Sequence, residues 1–325
     1  MATLFLDRAQ LELRVDGEAL ALYEEGERRG TVPMKLLERV VIQGRQTRLE
    51  SGVLGRLGEF GATTLIMSPR AHRRLALVLG PKHNDAGIRI AQVHRLMDDA
   101  FCLAWSRDLV QAKLHRQLRL LNRAVLARPD VRRALTGAIE SLERIQVELS
   151  DGEVNIVRLR GLEGAAARAS FQGLTALFAP ALNFTGRNRR PPRDPVNACL
   201  SLAYTLLHFD AVRAAHVAGL DPLIGFYHRP SIGRESLASD LIEPMRPVID
   251  EWVWTLFRNE VLRVSYFSQD GDACLLGKAG RQRFYEHWEA RSTAHRRWLR
   301  ARCSKLARYL RDEGRQWLES PFEEA

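Results

Sequence analysis

The spacing of hydrophobic positions changes once along the chain. Through about the first 75 residues apolar and polar positions alternate, as in the runs 11–15 and 20–22 on either side of Asp16-Gly17. Alternation with a period of two is typical of half-buried strands, and Asp-Gly between two such runs predicts a β-hairpin. Further elements predicted in this part are strands over 40–42 and 63–67 and a short helix over 51–60.

Beyond residue 85 the apolar residues recur at helical spacing, as in Leu114, Leu118 and Leu121. Positions three or four apart share one face of a helix, so this pattern predicts helices through the rest of the chain. The predicted helices cover about 86–123, as one long helix or a broken pair, and then 130–149, 153–174, 196–219, 240–264 and 280–318.

The stretch between the two patterns is rich in prolines and cations (68–85, SPRAHRRLALVLGPKHND). Such a composition interrupts regular structure and predicts a hinge. The predicted fold class is therefore α+β. We expect a small β-rich N-terminal domain over 1–75, a basic hinge over 76–88 and a larger all-α domain over 89–325.

Composition excludes several classes of protein. The 325 residues include four cysteines with no CxxC or CxxH pair, which argues against a structural zinc site and a disulfide framework. No apolar run approaches the ~18–20 residues that a membrane span needs. Asp7 and Arg8 interrupt the N-terminus too early for a secretory leader. We therefore expect a cytoplasmic protein without membrane contact.

The chain is basic, with 49 Lys and Arg against 39 Asp and Glu, and most of the excess lies in one segment. Residues 278–315 hold 12 Lys and Arg and 4 Asp and Glu, and a second arginine cluster lies in the Pro-rich stretch before Asp194-Pro195. Clustered cations favour nucleic acid as the partner, although each cluster also suits a solvated surface. The residues predicted to contact DNA are Arg187, Arg189, Arg190, Arg193, Asn197, Arg296, Arg297 and Arg300.

Three segments could carry chemistry, and each also has a structural explanation. Glu163 lies among small residues that suit a packed helix, and His228 ends a loop in which it could be a buried structural imidazole. Asp240 and Glu243 are three residues apart, which suits either a shared ligand or a capping box with Asp240 as N-cap and Glu243 at N3. Two carboxylates and one imidazole without cysteine favour Mg²⁺ or Mn²⁺ over zinc. Together with the basic clusters, such a set is typical of metal-dependent phosphodiester enzymes.

Four motifs in the same order resemble those of the CRISPR-associated integrase of the spacer-acquisition complex, the first of the two core adaptation proteins. The resemblance covers essentially the whole chain, although the N-terminal domain matches only in its pattern. The motifs are Glu163-Gly164 with Ala167-Arg168, the run 189–197 (RRPPRDPVN), Gly225-Phe226-Tyr227-His228, and the segment 233–247 with Asp240-Leu241 and Glu243.

This resemblance implies that Glu163, His228 and Glu243 are catalytic residues and ligands of Mg²⁺ or Mn²⁺, with Asp240 supporting the site or capping the helix. It implies a DNA endonuclease and integrase in which a 3′-hydroxyl of a short double-stranded fragment attacks a phosphodiester of the CRISPR repeat. It also implies a homodimer joined through the β-rich domains, and assembly with a small ferredoxin-like partner protein.

Two other interpretations remain open at the level of sequence. In one, the protein is an accessory helical protein that binds nucleic acid without catalysis, and its acidic residues only cap helices. In the other, it is an integrase homologue that works outside CRISPR. Metal-dependent cleavage of DNA distinguishes the first from the enzyme, and the gene neighbourhood distinguishes the second.

Overall fold

The structure is a computed structural model that describes residues 2–44, 46–68, 74–81, 83–151, 154–188 and 191–318. Contacts between Cα atoms divide the chain into two compact units. The N-terminal unit comprises residues 1–84 together with Phe284–Ser292, and the helical unit comprises Asp85–Arg283 and the chain from Thr293 onward.

Among its described residues up to 84, the N-terminal unit contains two four-stranded sheets and one α-helix. The first sheet has the order β1 (Ala2–Leu6), β5 (Leu37–Ile42), β7 (Thr63–Met67) and β8 (Arg74–Val78), in which only β8 is antiparallel to its neighbour. The second has the order β4 (Glu27–Pro33), β3 (Ala19–Glu24), β2 (Leu11–Asp16) and β6 (Arg48–Leu49). Helix α1 spans Ser51–Glu59.

The core of this unit collects the alternating apolar residues that the sequence pattern singled out. Leu11, Leu13 and Leu20 are buried together with Val53 and Leu57 of α1. The predicted hairpin is confirmed, because Asp16 pairs with Ala19 across a turn in which Gly17 has a φ of +59°. A positive φ is the conformation for which glycine is suited in such turns.

The boundary between the two units, between residues 84 and 85, lies inside the predicted hinge of 76–88, but both ends of that segment are regular structure. The segment's first residues belong to strand β8, which pairs with β7, and its last residues form the start of the first helix of the helical unit. The alternation in 74–78 (RLALV) is typical of a strand, but the prolines and cations on both sides of it favoured a hinge.

The helical unit follows the predicted periodicity closely. The predicted long helix is a broken pair, because Asp98 ends the first helix and caps the second by accepting a hydrogen bond from the backbone N–H of Phe101 at 2.9 Å. The helices are α2 (Ala86–Met97), α3 (Asp99–Ala127), α4 (Arg132–Asp151), α5 (Ile156–Leu177), α6 (Pro195–Val217), α7 (Ser236–Ile242), α8 (Arg246–Arg258) and α9 (Lys278–Gly314).

The predicted combination of N-terminal strands and a larger helical part is confirmed, but this second unit is not all-α. Strands β9 (Phe267–Asp270) and β10 (Ala273–Leu276) form an antiparallel hairpin before α9. Asp270-Gly271 at its turn is the same signal that predicted the hairpin in the N-terminal unit, and Gly271 has a φ of +59°. Among the described residues, no helix is both long enough and apolar enough to span a membrane.

Candidate active site

Two of the three predicted ligands converge on one cation. Glu163 lies on α5, and Glu243 begins the short 3₁₀ turn Glu243–Met245 between α7 and α8. The ammonium of Lys113, on α3, donates a hydrogen bond to Glu163 Oε1 and another to Glu243 Oε2, the latter at 2.7 Å. The fold therefore brings together two carboxylates that are far apart in the sequence.

A second cation holds the other oxygen of Glu243. Arg246 Nε lies 2.7 Å from Glu243 Oε1, and its guanidinium stacks over the ring of Tyr204. Burial alone would raise the pKa of Glu243, but the charges of Arg246 and Lys113 outweigh burial and lower that pKa to about 2. Glu243 is thus ionised throughout the neutral range.

The third predicted ligand, His228, is positioned by Asp240. The fully buried carboxylate of Asp240 accepts hydrogen bonds from the backbone N–H groups of Phe226, Tyr227 and His228 at 2.8–2.9 Å. It also lies 2.7 Å from His228 Nδ1. Because an ionised carboxylate only accepts hydrogen bonds, Nδ1 carries the proton, and a neutral His228 presents the lone pair of Nε2.

The loop before His228 requires a residue without a side chain at Gly225. A Cβ there would lie 2.5 Å from the carbonyl carbon of Ser236 and 2.8 Å from the carbonyl oxygen of His228. Both contacts are with backbone, which cannot rotate away as a side chain would. Gly225 therefore lets the loop pack directly on the start of α7.

The proposed capping box is wrong. Helix α7 begins at Ser236 after Glu235, so Asp240 lies within the helix and Glu243 lies beyond its end. Asp240 is bound to the loop rather than to the first turn of its own helix. The explanation of both acidic residues as caps, on which the non-catalytic interpretation depended, is therefore removed.

The donor set matches a hard divalent cation in chemistry but is not arranged as a finished metal site. Across the part of the chain that the structure describes, no three His, Cys, Asp and Glu side chains have the spacing to hold a metal ion. Lys113 lies between Glu163 and Glu243, where its ammonium already supplies a positive charge. Carboxylate oxygens and an imidazole oriented by a carboxylate are nevertheless the ligands that Mg²⁺ or Mn²⁺ accepts, so the residues fit such an ion.

The predicted DNA contacts in the loop before α6 differ in their surroundings. Asn197 is fully buried and donates to the Gly186 carbonyl at 2.8 Å, so the predicted DNA contact of Asn197 is wrong. Arg187 is half-buried and donates to Asn197 Oδ1, while Arg193 is exposed. Arg189 and Arg190 lie outside the described residues. Asp194 caps α6 before Pro195 by accepting a hydrogen bond from the backbone N–H of Asn197 at 2.8 Å.

On α9 the structure distinguishes neighbouring arginines that the charge pattern grouped together. Arg296 is buried, and its Nε lies 3.0 Å from Asp210 Oδ2, so a phosphate cannot reach it and this prediction is also wrong. Arg297 and Arg300 are exposed. The predicted phosphate contacts that remain accessible on this helix are therefore Arg297 and Arg300.

A basic and aromatic cluster on α3 and α9 was missed by the sequence analysis. Arg302 lies over the ring of Trp105, and Arg116 lies over the ring of Trp298. Burial and the charges of Arg302 and Arg119 lower the pKa of Arg116. Because Arg116 shares a face of α3 with Lys113, one turn away, these cations lie beside the site.

A family model establishes the class of protein to which this fold and site belong. The model of the CRISPR associated protein Cas1 matches residues 4–290. The chain therefore belongs to the Cas1 family, as the motifs indicated.

Two curated relatives agree with this assignment. The chain is 36% identical over 315 residues to a CRISPR-associated endonuclease Cas1 of Thermodesulfovibrio yellowstonii, covering 96% of this chain and 98% of the relative. It is 34% identical over 290 residues to a Cas1 endonuclease of Thermus thermophilus, covering 89% and 86% of the two chains.

Solved structures share the fold at low sequence identity. A Cas1 protein of Thermotoga maritima superposes with a TM-score of 0.82 at 20% identity, covering 95% of this chain and 97% of that protein. A casposase bound to its integration product superposes with a TM-score of 0.83 at 20% identity, covering 96% and 91% of the two chains.

Proposed function

We propose that this protein is a metal-dependent DNA endonuclease and integrase of CRISPR spacer acquisition. The observation that carries the proposal is the convergence of Glu163 and Glu243 on one cation. Membership of the Cas1 family supports it, because relatives in that family are named endonucleases. The substrate class is double-stranded DNA, with short fragments as donors and the CRISPR repeat as target.

In this mechanism Glu163, His228 and Glu243 would hold Mg²⁺ or Mn²⁺. An ion held there would supply Lewis acidity, which would activate the attacking 3′-hydroxyl, or water in the nuclease reaction, and stabilise the negative charge that develops on the phosphate. Asp240 fixes the ring of His228 through Nδ1, which leaves Nε2 as the ring nitrogen available to an ion. Arg246 keeps Glu243 ionised and fixed in orientation.

Half-buried and exposed cations on α3 and α9 bind the phosphate backbone of the DNA. Arg116 and Arg302 lie on the helices beside the site, and Arg297 lies further along the exposed face of α9. Contacts with phosphates hold a duplex in register and carry no base sequence, which suits donor fragments of any sequence.

We expect Arg297→Gln to weaken binding of a DNA duplex and to reduce the slope of log affinity against log salt by about 0.9, the loss of one phosphate contact. Arg296→Gln is the matched control, because Arg296 is the adjacent residue but is buried against Asp210. It should leave the slope unchanged and lower the melting temperature. Fluorescence anisotropy across a salt series measures both variants, and equal slopes for Arg297→Gln and the wild type would contradict the assignment.

The proposal includes two protein partners. The first is a second copy of the chain, joined through the N-terminal units, in which β4 is an exposed edge strand of its sheet. Such edges pair readily with another chain. Light scattering should give twice the 36.9 kDa of one chain. The second is a small ferredoxin-like protein, and structures described as Cas1–Cas2 complexes that share this fold support such a partner.

An integration assay tests the function. The protein is incubated with its adaptation partner, a supercoiled plasmid that carries a repeat and labelled DNA fragments, with and without Mn²⁺ or Mg²⁺. We expect labelled plasmid only when the metal is present and the fragment carries a 3′-hydroxyl. DNA binding without integration or cleavage in either metal would favour the accessory, non-catalytic alternative. Integration into a plasmid without a repeat would favour a role outside CRISPR.

A further inference from the structure

The strongest unexplained contact in the site is the one made by Lys113. Its side chain is largely buried, with 10% of it exposed, and its ammonium is bonded to both Glu163 and Glu243. A surface ion pair would be incidental, but a buried lysine between two acidic residues that the proposed function requires as metal ligands must be displaced before a metal ion can bind.

The charges in the site are already balanced without a metal. Glu163 and Glu243 carry two negative charges, and Lys113 and Arg246, which are bonded to them, carry two positive charges. A divalent ion added to these four groups would leave two excess positive charges at a mostly buried position. Buried charges are stable only when they are paired. Phosphates of the substrate DNA, each with one negative charge, are the natural source of the missing negative charge.

From this arrangement we propose that Lys113 is a positioning residue that competes with the divalent ion. Its ammonium holds Glu163 and Glu243 until a DNA phosphate arrives, so that the ion and the DNA bind together rather than independently. This inference rests on the proposed function, because it takes Glu163 and Glu243 as the ligands of that ion.

The coupling has a direct thermodynamic consequence. If DNA strengthens binding of the ion by some factor, the ion strengthens binding of DNA by the same factor. Removing the ammonium of Lys113 removes one positive charge and the bonds that the ion must displace. The site should then bind the ion without DNA, and the effect of DNA on the ion's affinity should shrink.

The test measures Mn²⁺ binding by electron paramagnetic resonance of the free ion, with and without a DNA duplex whose 3′ ends are dideoxy and cannot react. For the wild type we expect DNA to increase Mn²⁺ affinity at least about tenfold, within the usual range of coupling between sites. For Lys113→Met we expect Mn²⁺ affinity without DNA to exceed that of the wild type at least about tenfold. We also expect DNA to increase the Mn²⁺ affinity of this variant by a smaller factor than in the wild type.

Three further variants make the result decisive. Lys113→Gln should bind Mn²⁺ more tightly than the wild type, as Lys113→Met does, and it retains a hydrogen-bond donor if the methionine variant folds poorly. Arg123 lies on α3, as Lys113 does, and forms an ion pair with Glu251 of α8. Arg123→Met removes this pair and should leave Mn²⁺ affinity unchanged. Glu163→Gln should weaken Mn²⁺ binding.

Two outcomes would overturn the inference, and they differ in what they imply. If both Lys113 variants bind Mn²⁺ no more tightly than the wild type while Glu163→Gln weakens binding, the metal site stands and Lys113 is not a competitor. If Glu163→Gln binds Mn²⁺ as the wild type does, the ion does not bind at this site, and both the inference and the proposed function fail.

Discussion

Glu243→Gln is expected to reduce DNA integration and cleavage in Mn²⁺ by about a thousandfold, because a metal ligand contributes to several kcal/mol of transition-state stabilisation and about 4 kcal/mol corresponds to that factor. Glutamine keeps the shape of the side chain but loses the negative charge that holds a hard cation. Without a divalent ion, DNA binding should persist, since the phosphate contacts are made by arginines elsewhere. Rates are measured with single turnovers alongside DNA affinity.

The same variant should also be less stable, which the sequence alone did not predict. The structure shows that Glu243 is buried between Lys113 and Arg246. Removing one partner from a buried ion pair costs about 3–5 kcal/mol. We therefore expect a lower melting temperature without metal.

The stability difference should depend on pH in a definite direction. The pKa of Glu243 is lowered from 4.5 to about 2 in the folded protein, so its ionised form stabilises the fold above pH 4.5 and loses that effect as the pH falls toward 2. The difference in the free energy of unfolding between the wild type and Glu243→Gln should therefore become smaller as the pH is lowered. Glu251→Gln on α8 is the control and should retain activity, because Glu251 pairs only with the exposed Arg123. Activity like that of the wild type in Glu243→Gln would contradict the assignment as a metal ligand.

Asp240→Asn is expected to destabilise the fold by at least about 3 kcal/mol, since hydrogen bonds to a charged acceptor are worth about 1.5–3 kcal/mol each. One carboxylate oxygen accepts two backbone N–H groups, and the other accepts a third and faces His228 Nδ1. An amide has an NH₂ group in place of one oxygen. In Asp240→Asn this hydrogen-bond donor would therefore lie against groups that are themselves donors, the backbone N–H groups of the loop or Nδ1–H of His228. Chemical denaturation measures the loss.

Activity should fall in this variant even where the protein remains folded. Loss of the group that orients a metal-binding histidine usually costs about 10–100-fold in metal affinity or activity. Nitrogen NMR of His228 should show its ring protons redistributed between Nδ1 and Nε2. Asp221→Asn is the control, because Asp221 accepts a hydrogen bond from the backbone N–H of Leu223 near the same loop and does not contact His228. An unchanged histidine spectrum in Asp240→Asn would show that Asp240 does not position the ring.

The periodicity of the chain predicted most of the helices and strands, because each element buries one face and carries that pattern locally. The contacts that define the site are not local. Lys113 is separated from Glu163 by 50 residues and from Glu243 by 130, so no spacing rule connects them. The predicted capping box was wrong because it relied on local spacing alone. The three-residue spacing of Asp240 and Glu243 suggested a local cap, but the carboxylate of Asp240 binds the backbone N–H groups of the loop at 226–228 instead. Likewise, charge clustering could not separate Arg296 from Arg297, because only packing decides which of them meets Asp210.

The N-terminal unit is completed by a segment that is synthesised long after the rest of the unit. Residues 284–292 belong to that unit, where Tyr285 stacks on Phe5 with ring centroids 4.2 Å apart and donates a hydrogen bond to Gln43. At the usual synthesis rate of about 5–20 residues per second, the ribosome reaches this segment roughly 10–40 s after completing the strands it packs against. During that interval the first sheet lacks these contacts with Tyr285. Slow translation through the helical region would prolong the period in which the N-terminal unit is most open to aggregation or proteolysis.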